Sequence, residues 1–131
     1  MQENYLHSDT TGLILKAFFN VYNKLGYGFL EKVYENAMLI ELKKLGLECQ
    51  RQVPIEVFYD KQNVGQYFAD IIVNNCVIVE LKAAEIIMEE HEAQLTNYLR
   101  ATEIEVGLLL NFGSEPQFKR KVFSSKYKTL I

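Results

Sequence analysis

Long apolar runs are absent: nothing in the 131 residues approaches the ~18 to 20 consecutive apolar positions that a bilayer crossing needs. The amino-terminal stretch MQENYLHSD has neither the basic nor the apolar region of a secretory signal, so a cytoplasmic protein without a membrane anchor is expected. Cysteine is scarce too. Cys49 and Cys76 stand apart, with no CxxC pair and no His at zinc spacing, which excludes a disulfide framework or a zinc site and leaves two reduced, partly buried thiols. Repeats, low-complexity stretches and linkers are also missing. Positive charge is in short supply over most of the chain: residues 1–115 hold 9 Lys or Arg against 17 Asp or Glu. An acidic body argues against passive electrostatic binding of nucleic acid, which works by clustered cations displacing counterions. Phosphate chemistry on such a body calls for a divalent cation to reverse the local field. The exception is residues 116–131, with 5 basic residues and no acidic one, a basic tail that could touch a phosphate backbone or simply be solvated.

What is present is the composition of an ordinary globular chain, 49% hydrophobic and 24% charged, at a length that closes one core. One domain is expected over residues 1–131, with its core at about 10–123. Leu13, Ala17, Val21 and Leu25 recur at helical intervals and predict a first helix over 9–24, capped by Asp9 or Thr10. The glycines of LGYGF form a loop. Leu30, Val33, Tyr34, Ala37, Met38 and Leu42 predict a second helix over 30–45, closed by Gly46. The period then falls to two. LECQRQVPIEVFYD and VGQYFADIIVNN read as a hairpin about DKQN, and CVIVELKAA follows NN as a third antiparallel strand. MEEHEAQLTNYLRAT is a third helix with Leu95, Tyr98 and Leu99 on one face, and EVGLLLNF a last strand, parallel to the third because a helix joins them. The fold class is α/β (α+β), a mixed sheet flanked by helices in the order ααβββαβ.

The stretch VIVELKAAE concentrates the chemistry. Glu80 and Lys82 are two apart in an apolar strand and so share a face. An exposed edge strand would carry such a pair on its wet side. Against that stands Asp70, set among the aromatic and aliphatic residues of YFADIIV, where a bare carboxylate is costly. A short turn makes Asp70 and Glu80 cross-strand neighbours. Two carboxylates can hold Mg²⁺ (or Mn²⁺), which keeps most of its waters. A lysine beside them can orient or deprotonate a water, or offset charge on a phosphate.

Asp70, followed by Glu80-Leu-Lys82 on the next strand, resembles the signature of the PD-(D/E)xK nuclease superfamily. Gly28-Phe-Leu-Glu31-Lys-Val-Tyr34 resembles the GxxExxY motif of one bacterial branch, and HEAQLTNYL supplies Gln94, similar to a glutamine found after the ExK strand in several of these enzymes. Ala69 stands where the superfamily name has proline, a position that varies among members. The resemblance spans about residues 10–123 and implies a restriction-endonuclease-like fold. It also implies Asp70 and Glu80 as metal ligands, Lys82 as catalytic lysine, Glu31 as the helix acid, and Gln94 in support of the lysine or a phosphate. Tyr34, His91, Tyr98, Lys119, Arg120 and Lys121 are candidates for substrate contact. The implied activity is Mg²⁺-dependent hydrolysis of nucleic-acid phosphodiesters, with DNA favoured over RNA. A protein partner for recognition and a homodimer are both compatible with it. The alternative is a catalytically silent binding or interaction module on the same scaffold.

Overall fold

The structure, a computed structural model, describes residues 6–128, so both ends of the expected domain span lie outside the described residues. Helix α1 (Ser8–Leu25) and helix α2 (Glu31–Lys44) precede strands β1 (Cys49–Tyr59), β2 (Gln62–Val73) and β3 (Val77–Lys82). Helix α3 (Glu89–Arg100), strands β4 (Val106–Phe112) and β5 (Pro116–Val122), and a single 3-10 turn (Ser125–Tyr127) complete the chain. The strands form one sheet in sequential order, with β3 and β4 parallel and all other neighbours antiparallel. This is the expected mixed sheet flanked by helices.

Three local expectations change. α1 begins one residue before Asp9, with His7 in the cap position in left-handed conformation (φ 54°, ψ 36°) and no side-chain cap. Asp9 instead sits in the first turn, where its charge suits the helix dipole. The β1–β2 turn is only Asp60 and Lys61, both at positive φ (51° and 64°) as a tight hairpin turn requires, so Gln62 and Asn63 belong to β2. Finally, the first half of the basic tail is β5, which pairs with β4 from Val106↔Val122 to Phe112↔Pro116. As an edge strand, β5 has one partner and buries no residue fully; the half-exposed Phe118 sets its ring edge-on to Phe19 of α1. Its lysines protect the open edge from pairing with another chain.

The sheet carries a core on each face. Ile14, Phe18 and Val21 of α1 and Tyr34, Met38 and Leu42 of α2 cover Ile71, Val79, Leu81, Leu108 and Leu110. On the other face, Leu95, Tyr98 and Leu99 of α3 cover Ile55, Ala69, Ile72, Ile78 and Leu109. Gly107 lets α3 come this close, since a Cβ there would meet Leu95 Cδ1 at 2.7 Å. β3 is thus the central strand, buried from Val77 to Leu81, which removes the alternative that Glu80 and Lys82 decorate an exposed edge.

Candidate active site

The site lies where β2 and β3 part. Regular pairing ends at Ile71↔Val79. At the next position the two strands exchange side chain for backbone: the Asp70 N–H donates to Glu80 Oε2 at 2.9 Å, and the Leu81 N–H donates to Asp70 Oδ2 at 2.8 Å. Each carboxyl group therefore satisfies an amide that the ladder no longer serves, by a hydrogen bond that fixes its rotamer. β1 bends at the same level. Arg51 pairs with Ile71 and Val53 with Ala69, while Gln52, between them, has φ 49° and pairs with nothing in the ladder. That conformation costs a non-glycine residue about 1 kcal/mol. Ala69 and Ile71 would share a face in a regular strand, yet Ala69 packs into the α3 core and Ile71 into the α1/α2 core. The ribbon switches faces at Gln52 and Asp70.

Electrostatically the acids dominate the site. Glu80 is only 4% exposed. Burial first, and then the charge of Asp70, push its carboxyl up from the ordinary 4.5 to about 8. Asp70, half-buried, is also raised, chiefly by burial, with its bonds from Leu81 and Gln52 pulling the other way. The Lys82 charge favours the ionised form of both acids. Yet Lys82 forms no ion pair within 4.0 Å among the described residues.

Helix α2 brings acids to the same place. Gly28 (φ 111°) turns the chain in a way L-residues rarely adopt, and the buried Tyr34 pins that turn: its hydroxyl donates to Gly26 O at 2.7 Å and accepts the Phe29 N–H at 3.3 Å. Glu31 then opens the first turn of α2, exposed, and its charge adds to the upward shift of Glu80. Tyr34 is thus a buried core aromatic, stacked on Phe112 at 4.1 Å. One turn after Glu31 sits Glu35, which sequence reasoning missed. It is 5% exposed, and Gln52 Nε2 bridges it to Asp70, donating to Glu35 Oε1 at 3.0 Å and to Asp70 Oδ1 at 3.4 Å. Arg51 comes within 3.1 Å of Glu35 Oε2 as an ion pair, but without the alignment of a hydrogen bond. Its i,i+4 spacing from Glu31 was a readable signal. Gln52 had none, because its role depends on a backbone conformation that glutamine seldom adopts.

The remaining candidates divide. Gln94 is half-buried on α3 and makes no hydrogen bond to Lys82 among the described residues. Tyr98 packs in the α3 core, and burial, followed by the charges of Glu80 and Asp70, pushes its hydroxyl up to about 12, so it stays an O–H donor. His91 is occupied at the start of α3, where Nδ1 accepts the Met88 N–H at 3.0 Å. The basic residues are on β5, two strands from β3. Lys121 pairs with Glu92 at 2.6 Å and Arg120 donates to Leu6 O at 2.6 Å, so neither is the loose tail cation expected. Lys119 alternates with Arg120 and is exposed on the same edge strand.

No group of three or more His, Cys, Asp or Glu suited to a metal ion occurs among the described residues. The donor set is two carboxylates, each with one oxygen accepting from a backbone amide; Glu80 Oε1 and Asp70 Oδ1, the latter also accepting the long bond from Gln52, are the oxygens without a backbone partner. This fits a hard cation such as Mg²⁺ that keeps most of its waters and takes one or two protein carboxylates.

The sequence matches the PD-(D/E)XK nuclease superfamily over residues 8–122. No curated protein matches it. Among solved structures, the crystal structure of SSO0001 is similar over 92% of this chain and 81% of its own, at 16% identity and a TM-score of 0.49.

Proposed function

The chain belongs to the PD-(D/E)XK nuclease superfamily, and from that membership we propose that it is a divalent-metal-dependent phosphodiesterase that cuts nucleic acid, DNA in preference to RNA, in the GxxExxY branch. The observation that carries the reading is the reciprocal pinning of Asp70 and Glu80 on each other's strands, with Lys82 one residue beyond Leu81 and without an ion pair among the described residues. Buried carboxylates held this rigidly, with raised affinity for protons, are poised to exchange those protons for a cation. The branch assignment is supported by the way Gly28, Glu31 and Tyr34 cooperate: the glycine makes the turn, the tyrosine locks it, and the glutamate is delivered to the site.

Asp70 and Glu80 would hold Mg²⁺ or Mn²⁺, which when bound supplies electrostatic stabilisation of charge developing on a phosphate. Lys82, as an ammonium, orients the attacking water or faces the phosphate oxygens as they gain charge. Glu31 orients a water at the rim. Gln52, tied to Glu35, keeps Asp70 Oδ1 in place, so the acid does not rotate away. The test is cleavage of labelled single- and double-stranded DNA and RNA in Mn²⁺ by wild type and Lys82→Met, which keeps side-chain length and deletes the charge. Wild-type cleavage falling by about 10² to 10⁴ in rate, with nucleic-acid binding retained, is the expected result. Equal cleavage by both proteins, or none on any substrate, overturns the assignment.

A further inference from the structure

A groove of about 550 Å³ runs between the β1–β2 hairpin and α3, lined by Val57, Tyr67, Gln94, Asn97, Tyr98 and Arg100, with Glu90 at its rim. The hairpin overhangs because β3 is short: β2 pairs with it only from Ile71 to Val73, which leaves the outer half of the ribbon to project past the sheet. That outer half carries exposed aromatic rings. Tyr67 is 50% exposed, and its ring is tilted against that of Tyr98, 5.8 Å away. The carboxylates do not line the groove, but Tyr98 and Gln94 do, and Tyr98 lies close enough to Glu80 and Asp70 to feel both charges. Tyr67 is three residues from Asp70 on the same strand, about 10 Å. That separation is within reach of a base next to a phosphate placed at the carboxylates.

Resting on the phosphodiesterase reading, we propose that this groove seats an unpaired nucleobase stacked on Tyr67, its edge met by the amides of Gln94 and Asn97, and that the substrate is single-stranded nucleic acid. Three observations favour an unpaired base over a duplex. The groove has the volume of small-molecule sites and not of a double helix. It offers a ring face, which a base inside a duplex cannot reach, and amide donors and acceptors suited to a free base edge. The body is too acidic to neutralise two backbones: Arg100 is the groove's one cation, and its guanidinium already packs 5.3 Å over Phe123.

The test uses oligonucleotides carrying 2-aminopurine, whose fluorescence is quenched on stacking, with Ca²⁺ replacing Mg²⁺ so that binding is read without cleavage. Wild type should quench the probe in single strands and not in duplex, and Tyr67→Ala should weaken single-strand affinity by about tenfold to a hundredfold. Tyr67→Trp, which retains a ring, should restore it, separating lost stacking from a disturbed hairpin. Asn97→Ala, on an exposed helical position, should weaken it to a lesser degree. Single-strand affinity unchanged in Tyr67→Ala, or duplex bound as tightly and weakened equally, overturns the proposal. Cleavage in Mn²⁺ is scored in parallel: stacking without cleavage upholds the groove and removes the nuclease, whereas cleavage indifferent to Tyr67 removes the groove and keeps the nuclease.

Discussion

Replacing Glu80 by Gln should make the metal-free protein more stable at alkaline pH, although Glu80 is nearly fully buried and hydrogen-bonded. In the folded chain its carboxyl is pushed up to about 8, from an ordinary 4.5 in the unfolded chain. Between those two values the folded state holds a proton that the unfolded state has released, so stability falls as pH rises. Below about pH 4.5 both states are protonated and the slope vanishes. The slope in between is about 1.4 kcal/mol per pH unit, and across the window the loss is on the order of 5 kcal/mol. Asp70 titrates with Glu80 as a coupled pair, so the curve belongs to both. Glutamine keeps a carbonyl oxygen to accept the Asp70 N–H, so the packing of the site survives. Thermal or urea denaturation in EDTA from pH 4.5 to 9 should give a falling curve for wild type and a flatter one for Glu80→Gln. The two should lie close together at pH 4.5, with the variant ahead by several kcal/mol at pH 9. Parallel curves, or a wild type that gains stability toward pH 9, would refute a strained acidic pair. A variant equally destabilised at every pH would point to Glu80 as a structural hydrogen-bond partner only.

Calorimetric titration with Mn²⁺ near pH 7 should show one site of modest affinity that releases a proton, detected as a dependence on the buffer's ionisation enthalpy, and Asp70→Ala should abolish it. Asn111 is fully buried and clasps Ala84 through two bonds, at 2.9 and 3.0 Å, just past Lys82. Asn111→Leu should cost about 2 to 3 kcal/mol by chemical denaturation, since both Ala84 groups lose their partner; a cost below about 0.5 kcal/mol would show that water replaces the clasp. Tyr34→Phe removes the hydroxyl that holds the Gly26–Phe29 turn and should cost about 1 to 2 kcal/mol, with faster amide exchange at Phe29 as the local readout.

Periodicity and turn chemistry made much of this protein legible from its residues. Helical spacing from Leu30 to Leu42, with Gly46 beyond, defines α2, and the change to period two at Cys49 starts the sheet, because those patterns are imposed by local geometry. Asp70 and Glu80 were readable as neighbours because Asn74 and Asn75 accept the left-handed conformation of a tight turn, which leaves little freedom in the register. The β5 strand was not readable, since this edge strand buries no residue fully and the basic run Lys119 to Lys121 masks any alternation. Tertiary structure alone decided that Glu80 is buried in a central strand, because burial depends on which elements cover it and not on its neighbours in sequence. It also decided that Gln52 bends the β1–β2 ribbon at Asp70 and ties it to Glu35, a residue 17 positions away on α2. Such a bridge rests on contacts between elements distant in sequence, which no local pattern encodes.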